Sequence, residues 1–382
     1  MEATRPAGGG EKPTLSICVP TFNRAGLLTL ALQSLCSQMG EVDGAVEIVV
    51  SDNCSSDDTP DVVARMQGSC PITYHRNEHN TGQRNLVEIV RHARGEYCWI
   101  VGDDDMVARG ALPVIVDALR ANPDVDYVLL NFATRPISER DRLIRERRSE
   151  FAPALVDCFC KEPGQRRVDS WEELFDVETT CPSELFTSIV CSVSRTRRWL
   201  EYVETLRFGG APVVSAADRT LDDTFPHVKV IAQAMIRRPA YYIGHPCVLM
   251  GQGSQEWWSD WPVISMAGIN EALDLYEQLE VDERRMRVLW ESFFRQSVRF
   301  VPLVGQKRHL PCLRDFSFAR FAWRNRRRWS IAGPILMRRF ESEVRKRSRA
   351  CLPGPVYEVV SAGWRRLLRR GGVGGEEAGD RA

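Results

Sequence analysis

The chain has 382 residues, more than one ordinary domain, which excludes a disulfide-stapled miniprotein and leaves room for a buried active site. Hydrophobic residues at 43% and charged residues at 27% match a soluble globular protein, and no apolar run nears the roughly 20 residues that a spanning helix needs. The net charge is zero, with 51 basic against 51 acidic residues, yet residues 305–370 hold 18 Lys or Arg and only 4 Asp or Glu. A basic C-terminal segment on an acidic body points to an anionic surface as partner, either membrane headgroups or nucleic acid. The first residues lack a basic-then-apolar leader, and the 12 cysteines show neither CxxC spacing nor a secreted framework. The expectation is a cytoplasmic protein with reduced, mostly buried thiols.

In chain order, residues 1–13 read as a Gly- and Pro-rich tail, and Leu15–Val19 as a buried strand ended by Pro20. Leu27, Leu28, Leu30, Ala31, Leu32 and Leu35 form a helical stripe, followed by a β-branched strand at Glu47–Ser51. Predicted next are a helix at Thr59–Met66, a strand at Ile72–Tyr74, a helix at Asn80–Ala93 and a strand at Tyr97–Val101. A helix at Arg109–Ala121 and a strand at Tyr127–Asn131 complete the alternation. Such alternation implies an α/β fold with a mostly parallel sheet flanked by helices. Residues 135–170 read as a charged loop or exposed helix, Leu185–Ser194 as a strand, and Pro226–Ile236 as a helix before an extended stretch near Tyr241. Beyond Trp261 the pattern is helical and increasingly basic.

In parallel sheets ligands bind beyond the carboxyl ends of the strands, so chemistry is sought just after each one. Val101-Gly102-Asp103-Asp104-Asp105 puts three adjacent carboxylates after an apolar strand, and a divalent cation resolves their mutual repulsion. Alternation along an extended segment puts Asp103 and Asp105 on one side and Asp104 on the other. An acidic turn before the next helix is the plainer reading. Asp52 could accept hydrogen bonds from a nucleobase or ribose, or merely open a turn that caps a helix through Ser56 or Asp58. Pro20 to Arg24, tight against a helix start, could present N–H groups and a guanidinium to a nucleotide.

Together, Ser16-Ile17-Cys18-Val19-Pro20-Thr21-Phe22-Asn23-Arg24, Val49-Val50-Ser51-Asp52-Asn53, Asn80-Thr81-Gly82 with Asn85, and Ala93-Arg94-Gly95-Glu96-Tyr97 leading into Gly102-Asp103-Asp104-Asp105 resemble family 2 glycosyltransferases. Within that family the chain resembles the bacterial abequosyltransferase-like branch, which transfers deoxysugars in surface polysaccharide synthesis. The motifs cover roughly residues 14–131, with a fainter echo over 185–258. The resemblance implies a GT-A fold, a nucleotide-sugar donor and a divalent cation, Mn²⁺ or Mg²⁺, between the acidic motif and the donor diphosphate. By the same carry-over, Pro20, Thr21, Asn23 and Arg24 lie near the nucleotide and Asp52 near the base. Asp103, Asp104 and Asp105 would then serve ribose, phosphate and metal, with Asp103 and Asp105 as metal ligands and Gly82 and Asn85 beside them. Phe22 stands where many relatives have Tyr. The implied organisation is a GT-A domain at 14–260, with donor half 14–131 and acceptor half 132–260. A helical basic region at 261–370 and a tail at 371–382 follow.

Inverting transfer needs a general base for the acceptor hydroxyl. Leu221-Asp222-Asp223-Thr224 is a plausible equivalent of the family's acidic pair, and Phe225-Pro226-His227-Val228 resembles the Pro-His element of the abequosyltransferase-like branch. His227 and Asp223 stand level as base, with Asp222 behind; each could instead be an ordinary helix-start residue. Trp257 and Trp258 could stack on an acceptor sugar, or pack one inward and one outward. Arg324, Arg326, Arg327, Arg328, Arg338 and Arg339 with Trp323 and Trp329 suit anionic headgroups or, equally, a basic helix packed on the acidic body. No nucleic-acid motif accompanies that charge. The reading is an inverting, metal-dependent glycosyltransferase acting on a glycan or lipid-linked glycan. A sugar-phosphate nucleotidyltransferase and a non-catalytic scaffold are the alternatives; the first would be expected to show a Gly-rich, basic triphosphate loop after strand one, where this chain has Pro-Thr-Phe-Asn-Arg.

Overall fold

Strand β1 (Leu15–Thr21) is apolar on both faces because it lies inside the sheet, with β2 (Val46–Asp52) on one side and β4 (Tyr97–Ile100) on the other, all parallel. The computed structural model describes residues 12–136, 158–208, 220–252, 260–300, 317–336 and 338. Helices α1 (Ala25–Cys36) and α2 (Thr59–Gln67) follow β1 and β2, and β3 (Ile72–Arg76) adds parallel to β2. The helix expected over Asn80–Ala93 is shorter, α3 (Arg84–Glu88) plus a 3-10 turn at Ile89–His92, because Asn80 and Gly82 are tied into a loop.

The two-residue strand β5 (Met106–Val107) leads to α4 (Ala111–Ala121) and the long β6 (Tyr127–Pro136). Then come β7 (Gln165–Val168), β8 (Ser192–Arg195), α5 (Thr196–Val203), α6 (Leu221–Thr224), α7 (Pro226–Met235) and β9 (Ala240–Gln252). The sheet order is β3-β2-β1-β4-β8-β6-β9-β5, with β7 pairing β9. It is parallel from β3 to β4 and mixed beyond, since β8 runs antiparallel to both β4 and β6. The strand expected at Leu185–Ser194 is mostly not one. Residues 185–187 form a turn and Ile189–Cys191 a 3-10 turn, and only Ser192–Arg195 pairs. Leu185, Phe186 and Val190 are apolar because they fill the core, a demand that period-two reading cannot separate from a strand.

The pairing of β6 with β9 slips at Leu130, Asn131 and Phe132. Asn131, fully buried, repairs the slip: its amide donates to the Cys160 and Gly244 carbonyls, each at 3.0 Å, and its Oδ1 accepts from the Phe132 and Cys160 N–H groups. The helical residues after 260, α8 (Trp261–Ile264), a π turn, α9 (Asn270–Gln278) and α10 (Glu283–Ser297), share the hydrophobic core of the sheet. Tyr276 of α9 meets Trp171 edge-on at 6.0 Å. A last helix, α11 (Phe318–Arg324), lies against α9.

The cysteines depart from expectation in one place. Cys36 at the end of α1 and Cys70 before β3 form a disulfide, with Cα atoms 5.6 Å apart. They lie 34 positions apart in the chain, so spacing could not reveal the pair. The other eight described cysteines are free, and all but Cys54 are buried.

Candidate active site

From β1 the chain steps outward through β2 to β3 and then returns to β4 on the other side of β1, so the strand order reverses between β1 and β4. That switch point opens a crevice at the carboxyl ends of the strands. Thr21, the last residue of β1, pairs with Asp52, the last of β2. Across the switch, Thr21 Oγ1 donates to Asp103 Oδ2 at 2.8 Å, and Arg24 Nη1 donates to Asp103 Oδ1 at 3.1 Å. Asp104 lies 3.7 Å from the same guanidinium nitrogen. Thus Thr21, Arg24, Asp52, Asp103 and Asp104, widely separated in sequence, gather at one edge of the sheet.

Local chain chemistry holds this edge open. Asn23 adopts a left-handed backbone with φ of 53°, a conformation Asn tolerates well. Its N–H donates to Ser55 Oγ, and its Oδ1 accepts from the Ser56 N–H, so the loops after β1 and β2 are stitched together. Asp57 accepts the Ala25 N–H at 2.9 Å and thereby caps α1 from outside. Behind them, Asn85 accepts from Ser51 Oγ and Asn77 and donates to the Ser51 carbonyl. Gly82, with φ of 60°, makes the turn that brings Asn80 onto Asn53. Gly82 and Asn85 therefore brace the crevice from behind.

Asp52 is fully buried and already engaged. It accepts the Tyr74 hydroxyl at 2.6 Å and the Ser55 N–H at 2.8 Å, with Arg76 Nε 3.4 Å away. Arg76, its side chain 47% exposed, stands at the end of β3, one of the positions where the sequence points to chemistry, whereas Tyr74 within that strand is a functional candidate that sequence reading passed over. In-register pairing of β2 with β3 sets Arg76 opposite Asp52. Burial, and then the neighbouring Asp52, push the Tyr74 phenol pKa upward, which keeps it a donor.

The three carboxylates do not alternate as the extended-segment argument expects. Asp103 and Asp104 both turn to Arg24, while Asp105 turns inward, accepting the Gly102 N–H at 3.0 Å and the Gly251 N–H of β9 at 3.2 Å. The reason is that residues 102–105 form a turn, closed by the Asp105 N–H to the Gly102 carbonyl, rather than a strand. Burial first and Asp104 second push the Asp103 pKa up to about 6 and the Asp105 pKa well above the usual carboxylate range. These are crowded acids in a dry place, a situation that a cation relieves.

His227 is buried on α7, its Nε2 3.0 Å from the Thr187 carbonyl and its Nδ1 without a partner among the described residues. Burial pushes its pKa down to about 4. Asp222 is also buried, paired with Lys229 Nζ at 2.8 Å and accepting the Arg207 N–H. Asp223 is partly exposed and accepts from Thr220 Oγ1 at 2.8 Å in a capping box. Beside Asp222 and Lys229 lies a cavity of about 630 Å³ that reaches Glu271, Asp274, Arg324 and Arg328. Trp257 and Trp258 lie outside the described residues, as does Arg339.

A family model, Glycosyl transferase family 2, matches residues 16–181, the stretch that builds the crevice. This stretch is a family 2 glycosyltransferase domain. Abequosyltransferase RfbV of Salmonella typhimurium is 37% identical to the chain over 114 residues, 29% of this chain and 34% of the relative. The GalNAc(5)-diNAcBac-PP-undecaprenol beta-1,3-glucosyltransferase of Campylobacter jejuni is 36% identical over 125 residues, 31% of this chain and 38% of the relative. Little more than a third of each relative's length is thus matched. Among solved structures, S. aureus TarS 1–349 in complex with UDP superposes with a TM-score of 0.51 at 15% identity, over 87% of this chain and 82% of that one. The shared architecture is the GT-A fold. No helix among the described residues is long and apolar enough to cross a membrane.

Proposed function

We propose that the chain is an inverting glycosyltransferase that moves a sugar from a nucleoside diphosphate donor to a hydroxyl of a glycan or lipid-linked glycan in bacterial surface polysaccharide synthesis. The observation that carries this reading is the Thr21–Asp103–Arg24 knot, which joins the ends of β1 and β4 at the switch point beside Asp52. The relatives' names, an abequosyltransferase and a glucosyltransferase whose acceptor is undecaprenol-linked, support the acceptor class, and the UDP in TarS supports the donor class.

In this reading the loop Pro20–Arg24 borders the nucleotide, and Arg24 lays positive charge toward the diphosphate. Asp52 orients Tyr74 and Arg76 at the nucleoside end. No trio of metal-ligating side chains is gathered among the described residues. One or two carboxylates with substrate phosphates suffice for Mg²⁺ or Mn²⁺, and each carboxylate keeps lone pairs free beyond those its N–H donors use. Asp103 and Asp105 are the residues that would hold the cation, Asp105 only on turning from the Gly102 and Gly251 N–H groups that now occupy it, and neutralisation of the leaving diphosphate is the chemistry the cation would supply. Asp223 takes the acceptor proton. It is the accessible acid of the three candidates, whereas Asp222 is held by Lys229 and His227 is enclosed.

The test is nucleotide release from a panel of nucleotide sugars with Mn²⁺. Release with at least one donor, lost in Asp105→Asn at unchanged melting temperature, is expected. Release that persists undiminished in that variant would refute the metal assignment, and no release from any donor would refute the activity.

A further inference from the structure

The basic C-terminal segment has two faces, and the structure separates them. One face is neutralised by the body. Arg324 reaches Asp274 at 2.6 Å and Glu271 at 3.3 Å, and Arg328 reaches Asp274 at 2.7 Å while its guanidinium lies 3.8 Å over the Trp290 ring. Between them, buried Asn325 accepts from the Asn270 amide at 3.0 Å. These contacts fix the segment's rotation about its own axis.

The other face carries Arg320, Arg326, Arg327 and Arg338, all exposed and without an acidic partner among the described residues. Residues 317–338 contain no Asp or Glu at all. With these arginines stand Trp323, 65% exposed, and Trp329, 55% exposed, two of the three exposed large hydrophobic residues described. Arg326 stacks 3.9 Å over Trp323, so the indole is held out in solvent by a cation. Exposed indoles among unpaired arginines are an arrangement that water penalises and a headgroup layer rewards, since the ring settles at the interface and the charges meet phosphates.

We propose that this face, Trp323 and Trp329 with Arg320, Arg326, Arg327 and Arg338, docks the protein on a bilayer bearing anionic phospholipids. Docking stands on the surface alone; that it brings the donor crevice to a lipid-linked acceptor rests on the glycosyltransferase reading. Each arginine near an anionic membrane adds about a fivefold factor in affinity, so removing three weakens partition by about a hundredfold.

The experiment is co-sedimentation of the full chain with phosphatidylcholine vesicles, with and without phosphatidylglycerol. Expected is sedimentation that requires phosphatidylglycerol, weakens as salt rises, and falls by about a hundredfold in R320Q/R327Q/R338Q. It should fall again in W323S/W329S, with thermal unfolding of both variants unchanged. By contrast, R324Q, which touches only the body-facing pairs, should sediment like the wild type. Failure to sediment with either vesicle, sedimentation of the triple variant like the wild type, or duplex DNA displacing the protein from anionic vesicles would each overturn the proposal. Nucleotide release is measured separately on the same samples. An enzyme that releases nucleotide but ignores vesicles sinks only the docking, and one that docks without release sinks only the activity.

Discussion

Gly102 and Asp105 compete for the same space. A Cβ on Gly102 would stand 2.5 Å from Asp105 Oδ2 and 2.7 Å from Asp104 Oδ1, so the missing side chain is what lets the acidic turn fold back on itself. Gly102→Ala is expected to move both carboxylates and lower nucleotide release about a hundredfold, since displacements of about an ångström cost that much, while the fold survives. Steady-state release and a melting curve on the same preparation check this. For the base, Asp223→Asn should cost about a hundredfold or more at saturating donor, and His227→Gln should stay within a few fold. The reverse order would hand the role back to the imidazole. Residue identity alone left His227 and Asp223 level, because both are chemically competent bases. Burial separates them, and burial is decided by which helix face meets Thr187.

At the scale of elements, Arg195 at the end of β8 ties the antiparallel half of the sheet to the parallel half. Its Nε donates to Asp126 at 2.6 Å, its Nη2 to the Tyr97 hydroxyl and to the Pro123 and Val125 carbonyls, and its Nη1 to Glu96. Breaking a buried pair leaves an uncompensated charge, at a cost of about 3 kcal/mol or more. Arg198 and Arg238, each 3.4 Å from Asp126, soften the loss. Arg195→Met is therefore expected to lower unfolding free energy by about 3 kcal/mol in urea titration. This brace was illegible beforehand, because Glu96, Asp126 and Arg195 share no motif and meet only when β8 inserts between β4 and β6. The parallel strands were legible, since burial on both faces leaves continuous apolar runs such as Leu15–Val19. The 185–191 stretch was misread for a related reason, as burial demands apolar residues from turns too.

Across the whole molecule, stability should respond to acid through His227. Burial lowers its pKa from 6.5 to about 4, so between those values the unfolded chain takes up a proton that the folded chain refuses. Stability from this group is complete above about 6.5 and is lost as pH falls toward 4, amounting to about 3 kcal/mol. Asp103, raised to about 6, works in the opposite direction, because the folded state binds its proton first and loses stability as pH rises. The decisive quantity is accordingly the stability of wild type minus that of His227→Gln, measured at pH 7 and pH 4. It should shrink by about 3 kcal/mol, and a difference independent of pH would contradict the buried neutral ring.

Taken alone, the sequence determined the alternation of strands and helices through residue 131, the run of acids after β4 and the charge asymmetry of the C-terminal region. Each of these is local, written in periodicity or composition, and survives any rearrangement of distant segments. Only the tertiary structure decided that Asp105 turns inward to β9, that Asp52 is held by Tyr74 and Ser55, and that Cys36 bonds Cys70. It alone decided, too, which arginines of the tail face the acidic body and which face solvent. Those outcomes depend on which elements pack together, and a contact between residues far apart in the chain has no periodicity by which to announce itself.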